Sequence, residues 1–183
     1  MIDITEARRY VLDRCLAASP TQVPCREATG LVLAAAVVAA EDVPPFANSA
    51  VDGYAVVAAS VATVPIDLPV VGEVAAGAYT DRVLQRGEAI RIMTGAPVPA
   101  GADAVVMVED TELLGDRSAD GSVRVRIRAS VSAGVAVRDV GDDVHAGTAL
   151  YLAGTLVTPA VAGVLASVNA AVVSVVPRLG SRC

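Results

Sequence analysis

Beyond Phe46, the apolar stretches of this chain are cut again and again by Gly, Pro and Asp, and this punctuation constrains its fold more than any other feature. Gly opens left-handed backbone and Pro removes a backbone donor, so the elements between them stay short. The runs that remain, 70–75, 89–93, 104–108 and 123–128, are rich in Val, Ile and Ala and have strand length. In SVRVRIR, starting at Ser122, the alternation is strictly period two. It puts Val123, Val125 and Ile127 on a buried face and Arg124, Arg126 and Arg128 on a solvated one. Short strands at this spacing predict an inserted barrel-like or irregular β domain over residues 46–145, with Asp116–Gly121 as a hairpin loop.

The flanking segments read differently. Asp3 followed by Glu6 has the spacing of a capping box, and no Pro or Gly interrupts residues 4–18. This predicts an N-terminal helix within residues 1–20, ended by Ser19-Pro20. The Leu, Val and Ala run from Gly30 to Ala40 reads in part as a buried strand. From Ala146 to Pro177 there is no formal charge, yet Thr158-Pro159, Gly163 and Asn169 break the run below the ~20 apolar residues that a membrane-spanning helix needs. A buried helix followed by a buried strand is expected there. Residues 21–45 and 146–178 are then expected to pair as a small elongated β unit. The fold class is mainly β (α+β), and the chain leaves one unit, builds a second, and returns.

Composition excludes several chemistries. All 14 basic residues are Arg, so neither Schiff-base chemistry nor a P-loop lysine is available. With a net charge of −6 and scattered arginines, no basic patch for nucleic acid is expected. Cys15, Cys25 and Cys183 form no C-x-x-C pair, and His145 is the only histidine. Neither a disulfide framework nor a zinc site is therefore expected, which points to a reduced, cytoplasmic setting and no membrane association.

Polar side chains inside apolar, turn-rich sequence mark three candidate regions. In FANSAVDGYAV, Asn48, Ser49 and the single acid Asp52 surround Gly53. In MTGAPVPAGADAVV, Thr94 opens a stiff loop built on Gly95, Pro97, Pro99 and Gly101. In RDVGDDVHAG, Arg138, Asp142 and Asp143 flank Gly141. Asp52 and Asp143 would suit Mg²⁺, which takes carboxylate oxygens together with substrate phosphates. On local pattern alone, the ordinary reading is that each acid caps a turn, since Asp and Gly are what turns usually contain.

PPFANSAVDGYAV, GEAIRIMTGAPVPAGADAVVMVEDT and VRDVGDDVHAG, in that order, closely resemble the molybdopterin molybdenumtransferase family, which includes the E domain of gephyrin. The resemblance runs from about residue 5 to residue 178. It implies an enzyme that inserts molybdenum from molybdate into adenylated molybdopterin, with Mg²⁺ present and AMP released. Asp52 matches the aspartate of the family's S-A-M-D-G-Y-A motif, Thr94 the threonine of T-G-A, and Asp143 the aspartate of G-E-D. By that resemblance these three are catalytic, with Asp52 and Asp143 also metal-binding, and Asn48, Ser49, Gly53, Gly95 and Arg138 contact substrate. A homodimer is implied as well.

Val51 stands where the family commonly has Met, Asp142 where it has Glu, and Asn169 near a usual Gly. Beyond LGSRC a family member would continue into a T-G-D-E motif and an α/β molybdopterin-binding domain. The expectation is therefore an N-terminal half, carrying half of an active site and inactive in isolation. The competing readings are a non-catalytic dimerisation or scaffold module derived from the family, and an unrelated β module that binds a small anion.

Overall fold

The computed structural model describes residues 2–15, 18–114 and 123–178. Its elements begin with α1 (Ile4–Leu12), β1 (Thr21–Pro24), β2 (Val32–Leu33), β3 (Val37–Val38), β4 (Asn48–Ser49), β5 (Gly53–Val56) and β6 (Ile66–Val74). They continue with β7 (Ala89–Ile92), β8 (Ala104–Met107), β9 (Thr111–Leu114), β10 (Arg124–Ile127), β11 (Val137–Arg138), β12 (Ala149–Tyr151), α2 (Pro159–Ser167) and β13 (Val172–Val176). Two compact units result, Met1–Glu41 with His145–Cys183, and Asp42–Val144.

In the first unit, β13 lies between β1 and β2 in an antiparallel sheet, and β12 pairs with β3. Leu33, Val157, Leu165, Val173 and Val175 form its core. The Asp3 carboxylate caps α1 by accepting the Thr5 N–H at 2.8 Å. The helix stops at Leu12, well short of the expected residue 18, and residues 16 and 17 fall outside the described residues. α1 buries no side chain, so only local propensity and its cap hold it, and both fade quickly in a short helix. α2 also departs from expectation. Thr158 caps it and Pro159 opens it, but Leu165 alone is buried, which makes it a surface helix and not an interior one.

The second unit is built on a curled, half-barrel sheet in the order β8-β5-β7-β6-β10-β9. All neighbours are antiparallel except β6 and β7. Alternation sends Tyr54, Val56, Leu68, Val106, Val125 and Ile127 to one face and Ala55, Val74, Ile90, Ile92 and Val105 to the other. Both faces carry buried side chains, which matches the nearly continuous apolar sequence of these strands.

Val125 and Ile127 are fully buried, as the alternation requires, whereas Val123 precedes the strand and is exposed. The arginine side of β10 is more than a solvated face. Arg126 grips both oxygens of Asp67 at 2.7 and 2.9 Å, and Arg128 reaches Glu112 at 2.6 Å. β9 was not anticipated from the sequence, and the expected hairpin loop 116–121 lies outside the described residues.

Candidate functional site

Every candidate residue named from the sequence lies in the second unit. Gly53 begins β5 between β7 and β8, where a Cβ would collide with the Val106 carbonyl oxygen. Only glycine lets the chain enter the sheet there, and Asp52 is the residue just before the strand begins. Asp52 is exposed, and its Oδ1 accepts two bonds from Thr94, from the backbone N–H and from Oγ1–H, each at 2.7 Å. Gly95 follows with φ +78°, a conformation that turns the chain back so that its N–H donates to the Ser49 carbonyl at 2.8 Å. The Thr94 bonds, and after them the charge of Arg91, hold the Asp52 carboxyl below the usual carboxylate range.

Behind this pair the chain is tightly knit. Ser49 is buried, and its hydroxyl donates to the Val51 carbonyl at 2.6 Å. Asn48 is also buried, with its amide directed at the Phe46 carbonyl at 3.4 Å. These two residues form β4. On one side β4 pairs with β11, Asn48 opposite Arg138 and Ser49 opposite Val137. On the other it meets the loop after Thr94, through the Ser49 N–H to the Ala96 carbonyl and a bridge from Asn48 to Pro97.

β11 leads into the third motif. Arg138 forms an ion pair with Asp143 Oδ2. Asp142 caps the turn between them by accepting the Asp139 N–H at 2.8 Å, and Gly141 takes φ +78°. The Asp143 N–H is tied to the Val43 carbonyl at 2.9 Å. The structure thus gathers the candidates into two joined pairs, Asp52 with Thr94 and Arg138 with Asp143, linked through β4. Among the described residues no hydrogen bond or ion pair connects one pair directly to the other, and no group of three or more His, Cys, Asp or Glu is placed to hold a metal.

One residue escaped the sequence reading. Arg91 sits opposite Tyr54 in the β5–β7 ladder and donates to the Tyr54 Oη at 3.1 Å. Its signal was the one charged residue in the otherwise apolar strand AIRI, on the same phase as the buried Ala89.

What the fold and site define is a two-unit, mainly β chain whose motif residues collect on loops of the larger unit. The chain belongs to the family described as MoeA N-terminal region (domain I and II), which matches residues 2–169. It is 43% identical to molybdopterin molybdenumtransferase 2 of Mycobacterium tuberculosis, covering 97% of this chain and 43% of the relative. It is 36% identical to the molybdopterin molybdenumtransferase of Bacillus subtilis over 80% of this chain and 34% of the relative. In structure it resembles the molybdopterin biosynthesis moeA protein of Pyrococcus horikoshii, with a TM-score of 0.82 at 33% identity, covering 96% of this chain and 46% of that one. The chain therefore spans less than half the length of these relatives.

No helix among the described residues is long and apolar enough to cross a membrane.

Proposed function

We propose that this chain supplies the N-terminal part of a molybdopterin molybdenumtransferase, which inserts molybdenum from molybdate into adenylated molybdopterin and releases AMP in a cytoplasmic setting. The observation that carries this reading is the Asp52–Thr94 pair, an exposed carboxylate fixed by two hydrogen bonds from one residue. A carboxylate kept ionised and immobile is suited to meet charge that develops on a bound substrate without reorganising. Thr94 is the positioning residue of the pair. Arg138, with Asp143 as its counter-ion, is the matching cation for an anionic substrate. Asn48, Ser49, Gly53 and Gly95 serve the site by shaping the loops that present Asp52 and Thr94.

Each of the two acids offers hard oxygen of the kind Mg²⁺ takes. Asp52 Oδ2 and Asp143 Oδ1 lie outside the bonds to Thr94 and Arg138. Asp52 and Asp143 are the residues that would offer oxygen to Mg²⁺, which would supply charge neutralisation to a substrate phosphate. The working form is proposed to be a homodimer, which sedimentation of the purified protein would check.

The test uses AMP release from adenylated molybdopterin with molybdate and Mg²⁺. This chain alone is compared with a fusion to the C-terminal half of the M. tuberculosis relative. Transfer by the fusion, and its loss in Asp52→Ala, is the expected result. A fusion whose turnover is indifferent to Asp52 would overturn the assignment and favour the scaffold reading.

A further inference from the structure

The sheet face that carries Tyr54 and Arg91 holds a cleft of about 560 Å³, lined by Tyr54, Val70, Glu73, Arg91, Leu113 and Val123. Its floor is apolar, apart from one cation and one acid. Arg91 stands opposite Tyr54 on β5 and is the register partner of Glu73 on β6, so the three side chains share a face. Asp52 lies two residues before Tyr54, just outside β5, and the charge of Arg91 acts on its carboxyl. Arg91 thus stands between the cleft and the Asp52–Thr94 pair.

Arg91 is half-buried, and its guanidinium lies over the Tyr54 ring, 5.6 Å from the centroid. Among the described residues it makes one hydrogen bond, to Tyr54 Oη, and no ion pair. Arg126 and Arg128, by contrast, each hold a carboxylate. A guanidinium has five N–H donors, and one partly desolvated against an apolar face with a single neutral partner has most of them left to give. Tyr54 is buried, and its hydroxyl, while accepting from Arg91, keeps its own proton to give. Both residues line the cleft, so two kinds of donor border it.

We propose that this cleft binds an organic oxyanion, with its anionic oxygens on Arg91 and the Tyr54 hydroxyl and its apolar body against Val70, Leu113 and Val123. Glu73 limits the charge the cleft tolerates and accepts from any N–H the ligand carries. The proposal deepens the function proposed above and rests on it for the identity of the natural ligand alone. The cleft extends the Asp52 site sideways and gives the substrate a second point of attachment.

The experiment is an NMR titration of the arginine side-chain N–H signals with phenyl phosphate and, separately, inorganic phosphate. Phenyl phosphate should bind about tenfold tighter than phosphate, because the cleft adds apolar burial to the charged contact. Arg91→Gln should weaken phenyl phosphate by about tenfold or more, the usual worth of a charge-assisted hydrogen bond. Glu73→Gln should tighten it, and Arg26→Gln, in the other unit, should change nothing. Equal affinity for the two anions, or an Arg91→Gln variant that binds as before, would overturn the proposal. Should Arg91→Gln fail to fold, Tyr54→Phe and Glu73→Gln decide it, since the first must weaken and the second strengthen binding. No molybdate, Mg²⁺ or pterin enters the titration. A failed transfer assay therefore leaves its outcome standing, and a failed titration leaves the transfer reading standing.

Discussion

A single residue holds the Asp52 carboxyl below its ordinary range. Thr94 gives Asp52 both a backbone and a hydroxyl hydrogen bond, and these are the leading causes of its lowered pKa. Thr94→Val removes the hydroxyl bond and keeps the backbone one. The Asp52 pKa should then rise part of the way toward the ordinary value, as read from its carboxyl carbon during an NMR pH titration. The sign for stability follows from linkage. A carboxylate whose folded pKa is depressed stabilises the fold above the unfolded pKa, and that contribution is lost as pH falls through the folded one. The variant should therefore lose less stability than the parent on acidification. Asp52 and Thr94 were legible as candidates because each stands alone among small residues in a loop motif. Their direct bond was not legible, since they are far apart in the chain and only the β5–β7 pairing brings them together.

For the elements, burial outweighs charge. Ile127 of β10 is fully buried in the inner cluster, and Ile127→Ala should cost about 2–5 kcal/mol in denaturant melts, from lost transfer energy plus a cavity. Arg126→Gln on the same strand breaks a well-formed but solvent-screened pair, so its effect should be much smaller. What it should change is pH dependence. Asp67 is held below its ordinary range first by the Arg126 hydrogen bond, so its share of stability fades as pH falls through that lowered value, and Arg126→Gln should flatten this part of the profile. In α2, Thr158→Ala removes the cap on the Val161 N–H at a cost of about 1 kcal/mol. The strand pattern of β10 could be read directly, because period two is a local property. The end of α1 and the exposure of α2 could not, because both depend on what packs against the helix.

On the scale of the molecule, the units have separate cores. Both clusters of the larger unit draw only on residues between Val51 and Val137, and the core of the other draws only on its two flanking segments. A fragment covering residues 42–144 should accordingly fold alone, giving a dispersed amide spectrum and a cooperative melt. An unfolded fragment would mean that the second unit needs the first. What suggested an insertion in the sequence was the pair of apolar flanking segments on either side of a punctuated middle. The strand order β8-β5-β7-β6-β10-β9 was not legible there.

The amino-acid sequence by itself determined the short mainly β elements, the three polar motifs and, through their order, the family. Each of these is written in neighbouring residues, as turn chemistry, alternation or a contiguous word. Only the tertiary structure decided which motifs touch, that Ser49 spends its hydroxyl on Val51, and that Arg91 faces a cleft beside Asp52. Those outcomes hang on strand pairing across tens of residues, where register selects the face each side chain occupies. One step of register would send Arg91 to the opposite face and leave its local sequence unchanged.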